Sequence, residues 1–218
     1  MKQFLIRIMN MYIGLFCFAL GIVLTIKANI GYAPWDVLHA GIAGKIGSSI
    51  GTVSIGVGLL VVLIVLLCRE KLGLGTVSNM IFVGLFINFI FYTNLIPTPN
   101  SLIIAIPVLI SGLFIMAFGT YFYIRSGFGA GPRDSLMVIL TRKTKLPVGL
   151  CRGIIELLAT ASGWLLGGMV GLGTVICVIL IGFCIQIVFK IFKFDATSIK
   201  HETLAATFVT LKKAISGN

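Results

Sequence analysis

RSGFGAGPRDSLM, residues 125–137, sets three alternating glycines, a Gly-Pro break, two arginines and an aspartate behind a long run, 72–124, that carries no charge. The same pattern occurs once before. KANIGYAPWDVLH, residues 27–39, puts Gly31, Pro34, Asp36 and Leu38 where Gly129, Pro132, Asp134 and Leu136 stand 98 residues later. Shifting the whole chain by 98 aligns 14–91 with 112–189 without a gap and gives 24 identities in 78 pairs. Gly14-Leu15-Phe16 meets Gly112-Leu113-Phe114, and GLGTV stands whole at 73–77 and 171–175. So many matches over so long an ungapped stretch mark a duplicated unit, not shared apolar bias.

The setting of the two loops is a membrane. Of 218 residues, 58% are hydrophobic and 11% charged, with a mean hydropathy of +1.13. A soluble domain of this length could not bury that much apolar side chain, whereas lipid accepts it. The net charge of +11 therefore belongs to cytoplasmic loops and not to a nucleic-acid surface. Cys17, Cys68, Cys151, Cys177 and Cys184 lie singly in apolar segments with no C-x-x-C pair, so they read as small membrane-core residues without metal or disulfide.

Charge-free runs of about 20 residues define crossings. They predict six helices, near 8–26, 48–68, 74–92, 102–124, 147–166 and 172–189, with the prolines of 93–100 dividing the third from the fourth. Lys2 and Arg7 precede the first run, which lacks an A-x-A exit and is expected to stay as an anchor. The expected class is an all-α polytopic protein: a first repeat over 1–97, a second over 98–193, and a tail over 194–218. Three crossings per repeat make the second copy enter from the opposite side, the inverted arrangement of many secondary transporters. With the N-terminus inside, fifteen lysines and arginines fall on the cytoplasmic side and only Lys27 and Lys45 outside. That split predicts cytoplasmic N- and C-termini.

The segments 34–46 and 132–143 are too short and too polar to cross alone. Glycines ahead of Pro34 and Pro132 let the backbone turn, and each proline suits the first position of a new helix. Asp36 and Asp134 then fall in the first turn, facing the positive end of the helix dipole. Each repeat is thus expected to carry a broken or re-entrant half-helix, tolerated at membrane depth only where it is buried or lines a cavity. Arg133, Gly129, Gly131, Asp134, Gly31, Asp36 and Glu156 are the candidate solute-binding residues. Arg133 with free N–H groups at a half-helix start would make an anion cradle. Its repeat-mate is Trp35, which could instead be an interfacial anchor. The two aspartates could equally be simple helix caps.

Glu156 lies about 13 Å along the fifth span, near the bilayer midplane. It could handle a proton or solute, or simply pair with Arg152 one turn away. Asn88 and its mate Gln186 are expected to hydrogen-bond between helices, and Gly51, Gly56, Gly58, Gly163, Gly167 and Gly168 to let helices approach. Arg125 is a flanking positive charge. His39 and His201 are predicted on opposite sides of the membrane, which excludes a shared metal. GFGAGP is neither a dinucleotide nor a Walker loop, and no catalytic motif is present. No cofactor, metal or enzyme activity is expected. Leu204, Phe208, Leu211 and Ile215, spaced among lysines, predict a basic amphipathic helix lying on the inner surface or on a partner.

GYAPWDVLHAGIA, GLGTVSN, GAGPRDSLM and GLCRGIIELLA followed by GGMVGLGTV resemble the YczE/YitT-type bacterial integral membrane proteins over residues 10–190. The resemblance implies a multi-span protein of the bacterial inner membrane and little about its chemistry. Two functions remain open. One is a small secondary transporter or channel for a polar or anionic solute. The other is a non-transporting membrane partner that anchors or regulates a cytoplasmic enzyme through its basic inner loops and amphipathic tail. The expected partners are the lipid bilayer and either a second copy of the chain or a cytoplasmic protein at the tail.

Overall fold

The structure is a computed structural model that describes every residue except 1, 71, 130, 196–198, 200, 201, 217 and 218. Among the described residues it holds nine α-helices and no strand. They are α1 (Lys2–Lys27), α2 (Pro34–Ile46), α3 (Ile50–Leu67), α4 (Leu74–Thr93), α5 (Leu102–Arg125), α6 (Pro132–Thr144), α7 (Val148–Leu165), α8 (Leu172–Ile191) and α9 (Leu204–Ser216). Six are long and apolar enough to cross a bilayer: α1, α3, α4, α5, α7 and α8. These are the six expected spans. Most of the exposed large apolar side chains, among them Leu60, Leu67, Ile103, Leu157 and Phe183, lie on those six helices, where lipid is the natural solvent.

The two intervening helices are short for a simple reason. Thirteen residues reach about 20 Å, well below the ~30 Å of hydrocarbon. Each opens on its proline, after an extended residue: Ala33 at ψ 153° and Gly131 at ψ 162°. Each closes on a left-handed residue, Gly47 at φ 67° and Lys145 at φ 58°, the usual stop for a helix.

α1 and α5 form the central pair. Gly14 lies against Gly119 and Tyr123, and Gly21 against Gly112 and Met116. A Cβ at Gly14 would come within 2.8 Å of Gly119 O, and one at Gly112 within 2.9 Å of Gly21 O. Since 14 and 112, and 21 and 119, are equivalent under the 98-residue shift, the two contacts are reciprocal. Close backbone approach is how helices associate without a hydrophobic force between them. Met11, Leu15, Ile22, Leu109 and Leu113 fill this core at 1% exposure or less.

Reciprocity continues elsewhere. Gly73 N–H donates to Thr76 Oγ1 (3.4 Å) at the start of α4, and Gly171 N–H to Thr174 Oγ1 (3.2 Å) at the start of α8. α1 packs on α4 as α5 packs on α8, and α2 on α7 as α3 on α6. One relation is broken. α3 packs along α4, but α7 does not pack along α8 among the described residues. Asn88 and Gln186 record this difference. Asn88 Nδ2 donates to Thr52 Oγ1 across α3 and α4 (3.1 Å), as expected of an interhelical hydrogen bond. Gln186 is instead exposed on α8, which corrects the expectation, because no helix lies where its partner would be. The glycines also divide. Gly51, Gly163 and Gly168 meet neighbouring backbone, while Gly56 and Gly167 have nothing within 4 Å.

Candidate functional site

The backbone makes two clasps, equivalent under the 98-residue shift. In the first, Ile30 O accepts from Gly173 N–H (2.7 Å), and Tyr32 N–H donates to Met169 O (3.1 Å). In the second, Phe128 O accepts from Gly75 N–H, also at 2.7 Å. Gly31 (φ 117°) and Gly129 (φ 119°) sit at the two crossing points, in a backbone region that side chains rarely adopt. The sequence marks both as candidate ligand contacts. The structure gives them to the clasps, beside a cavity whose wall they do not join.

That cavity, of about 320 Å³, falls within the size range of small-molecule sites. Ala33, Pro34, Trp35 and Asp36 bring the start of α2 to it, and Gly131, Pro132, Arg133 and Asp134 the start of α6. Both positive helix ends therefore face one space. The repeat-mates Trp35 and Arg133 meet there, with the guanidinium carbon 4.8 Å from the indole ring centre. Trp35 is thus half-buried on the cavity wall. Arg133 interacts electrostatically with Asp36, Asp134 and Glu156. A Cβ on Gly131 would touch the Asp134 carboxylate and the Tyr123 hydroxyl at 3.4 Å, so glycine keeps that corner open.

Glu156 and Arg152 complete the wall from α7. Arg152 Nε donates to Glu156 Oε1 (2.9 Å) along the helix, and half of the arginine side chain is exposed. An exposed pair at this spacing contributes under about 0.5 kcal/mol. Glu156→Gln should therefore move the melting midpoint of the purified protein by only about 1 °C. A shift several times larger would mean that the carboxylate holds more than Arg152. Arg125 lies outside the cavity, donating from Nη1 to Tyr121 Oη (2.7 Å).

Comparisons with known proteins place the chain in a family. A family model described as "Family of unknown function (DUF6198)" matches residues 5–190. The chain belongs to this family. It is 34% identical over 189 residues to the "Uncharacterized membrane protein YczE" of Bacillus subtilis (strain 168), covering 85% of this chain and 87% of that protein. It is 35% identical over 179 residues to an "Uncharacterized protein" of Haemophilus influenzae, covering 80% and 81%. The "Uncharacterized protein YyaS" of Bacillus subtilis is 29% identical over 178 residues, covering 80% and 88%. No solved structure matches the chain. With six apolar helices, these relatives make it a multi-pass membrane protein of the YczE type.

Three further wall residues of this family member escape a reading of its sequence. His39 looks there like an isolated outer-loop histidine, yet it is 1% exposed and stands one turn after Asp36. Tyr123 and Asn79 face the same space from α5 and α4. Helical spacing alone places His39 beside Asp36. Nothing in the sequence signals the other two, because spans without charge give no hint of which face looks inward. His201 lies outside the described residues.

Proposed function

We propose that this protein is a small secondary transporter or channel of the bacterial inner membrane, taking a polar solute whose anionic group faces Arg133. The observation that carries the reading is the convergence on one cavity of both half-helix starts, each of which follows one of two matched backbone clasps. Half-helix N-termini at a repeat interface are how many transporters build their sites. The reciprocal contacts of α1 with α5 support two inverted copies, and the fifteen-to-two charge split supports cytoplasmic termini. In such a frame each clasp closes one entrance. The wall charges narrow the solute. Asp36, Asp134 and Glu156 outnumber Arg133 and Arg152, which disfavours a multiply charged anion and suits a solute with a single anionic group.

Cysteine access tests this without knowing the solute. With the five native cysteines replaced, Ser54→Cys on the cavity wall should react with a water-soluble thiol reagent at least about tenfold faster than Leu60→Cys, which is 59% exposed on the outside of α3. Lipid-facing thiols stay protonated and unreached by water. Cysteines at positions 45 and 143 should label from opposite sides. Equal inertness at 54 and 60 would remove the water-filled pathway, and same-sided labelling would remove the inverted repeat.

The second reading, a membrane partner acting through its tail, has one observation in its favour. The start of the tail is fastened to the body. Arg7 Nη1 donates to Glu202 Oε1 (2.7 Å), Glu202 N–H to Gly127 O (2.8 Å) and Leu204 N–H to Leu72 O (2.9 Å). Phe208 and Val209 beyond it are 69% and 55% exposed, an apolar edge open to lipid or protein.

A further inference from the structure

Asp36 and His39 are 2% exposed at the side chain and face the cavity with Oδ1 and Nδ1 3.5 Å apart. At 3.5 Å they face each other at the long limit of a hydrogen bond, and neither atom has any other hydrogen-bond partner. Buried polar atoms without partners are rare and costly, most of all on a carboxylate. Other polar groups line the same cavity: Arg133 and Asp134 on α6, Arg152 and Glu156 on α7, Tyr123 on α5, Cys177 on α8 and Ser54 on α3. None of them is bonded to these two atoms. A proton added to Nδ1 of the Nε2–H tautomer would give an imidazolium–carboxylate hydrogen bond, of the short charge-assisted kind.

We propose that Asp36 and His39 form a proton-binding site on the central cavity, loaded and emptied as one unit and linked to solute through Arg133. Cavity water delivers the proton to Nδ1 and takes it back on release, so no other bond changes. The two protonation states belong to the pair and not to either residue. Linkage to solute follows from charge, and this part rests on the solute cavity proposed above. Arg133 interacts with both Asp36 and His39. A solute anion that engages the guanidinium reduces its compensation of Asp36 and its repulsion of a charged imidazole. Both changes favour the proton. Proton binding must then strengthen solute binding by the same factor.

The chain has two histidines, so His201→Gln leaves His39 as the sole imidazole. The full-length protein in lipid nanodiscs, isotopically labelled at histidine, can be followed by ring-nitrogen magnetic resonance from about pH 4.5 to 8.5, the span in which histidines titrate. His39 should show one reversible transition. Asp36→Asn removes the negative neighbour and should lower the midpoint by at least about one pH unit, a tenfold loss of proton affinity. Arg133→Gln removes a positive neighbour and should raise it, which keeps the test intact if the first variant fails to fold. A His39 ring that does not titrate over this range overturns the proposal. So does a midpoint that neither variant moves. The solute reading fails separately. An inert thiol in the Ser54→Cys variant beside a titrating His39 sinks the pathway and leaves the proton site, and the reverse result does the opposite.

Discussion

If the protein transports as proposed, Arg133→Lys should cut solute uptake into vesicles at least about tenfold, while Arg142→Lys should leave it near the wild-type rate. Both exchanges keep the charge, so both satisfy the rule that sets membrane orientation. They differ in what the guanidinium does. Arg133 lies over Trp35, 4.8 Å from the ring centre, at the start of α6 and on the cavity wall. A planar fork can stack on indole and still offer a pair of donors to one anionic group, whereas lysine presents a flexible point charge. Loss of a hydrogen bond to a charged group is worth about 1.5–3 kcal/mol, or about ten- to a hundredfold in affinity. Arg142 pairs with Glu70 and is 65% exposed at its side chain. A surface pair of that kind contributes about 0–1 kcal/mol, and lysine can replace it. Equal tolerance at both positions would make the α6 loop a charged turn and end the anion reading.

The reason that one position is legible in the sequence and others are not is physical. Six spans and two half-helices follow from charge-free runs and from Pro34 and Pro132, because a bilayer imposes length and proline imposes a start. Arg133 stands out because a helix cap needs no arginine beside it. Gly31 and Gly129 are visibly special in the sequence, but the close backbone approach they make is not legible there. A glycine needed for close backbone approach looks the same in one dimension as a glycine needed for a ligand. Trp35 is ambiguous for a related reason, since aromatic belts and aromatic cavity walls share the residue type. The meeting of Trp35 with Arg133 depends on two half-helices brought together in space, and a repeat seen in sequence does not say how its copies interlock. The gap between α7 and α8, visible in the exposure of Gln186, is a departure from the repeat. No internal comparison could reveal it.

Gly31→Ala should destabilise the protein by about 3 kcal/mol or more, and Gly56→Ala should not. At Gly31 two costs add. The backbone stands at φ 117°, where a side chain costs about 1–3 kcal/mol. The new Cβ would also lie 2.7 Å from Gly171 N and 2.9 Å from its Cα. These are backbone atoms with no rotamer to escape into, so the clasp must part. Parting it strands Ile30 O and Gly173 N–H, now joined at 2.7 Å, away from water, at a further cost of about 1–3 kcal/mol. Gly56 sits in the interior of α3 with nothing within 4 Å of a Cβ, and alanine there gains about 0.5–1 kcal/mol of helix propensity. The thermal midpoint of the purified variants separates the two. A loss of about 6 °C or more is expected at position 31 and no loss at 56. Gly129→Ala, at φ 119° and 2.8 Å from Gly73 Cα, should behave as Gly31→Ala does, because it holds the matching clasp. If Gly31→Ala melts with the wild type, the close approach of residues 30–32 to 169–173 is not a fixed part of the fold. The proposed transport cycle would then lack one of its two closures.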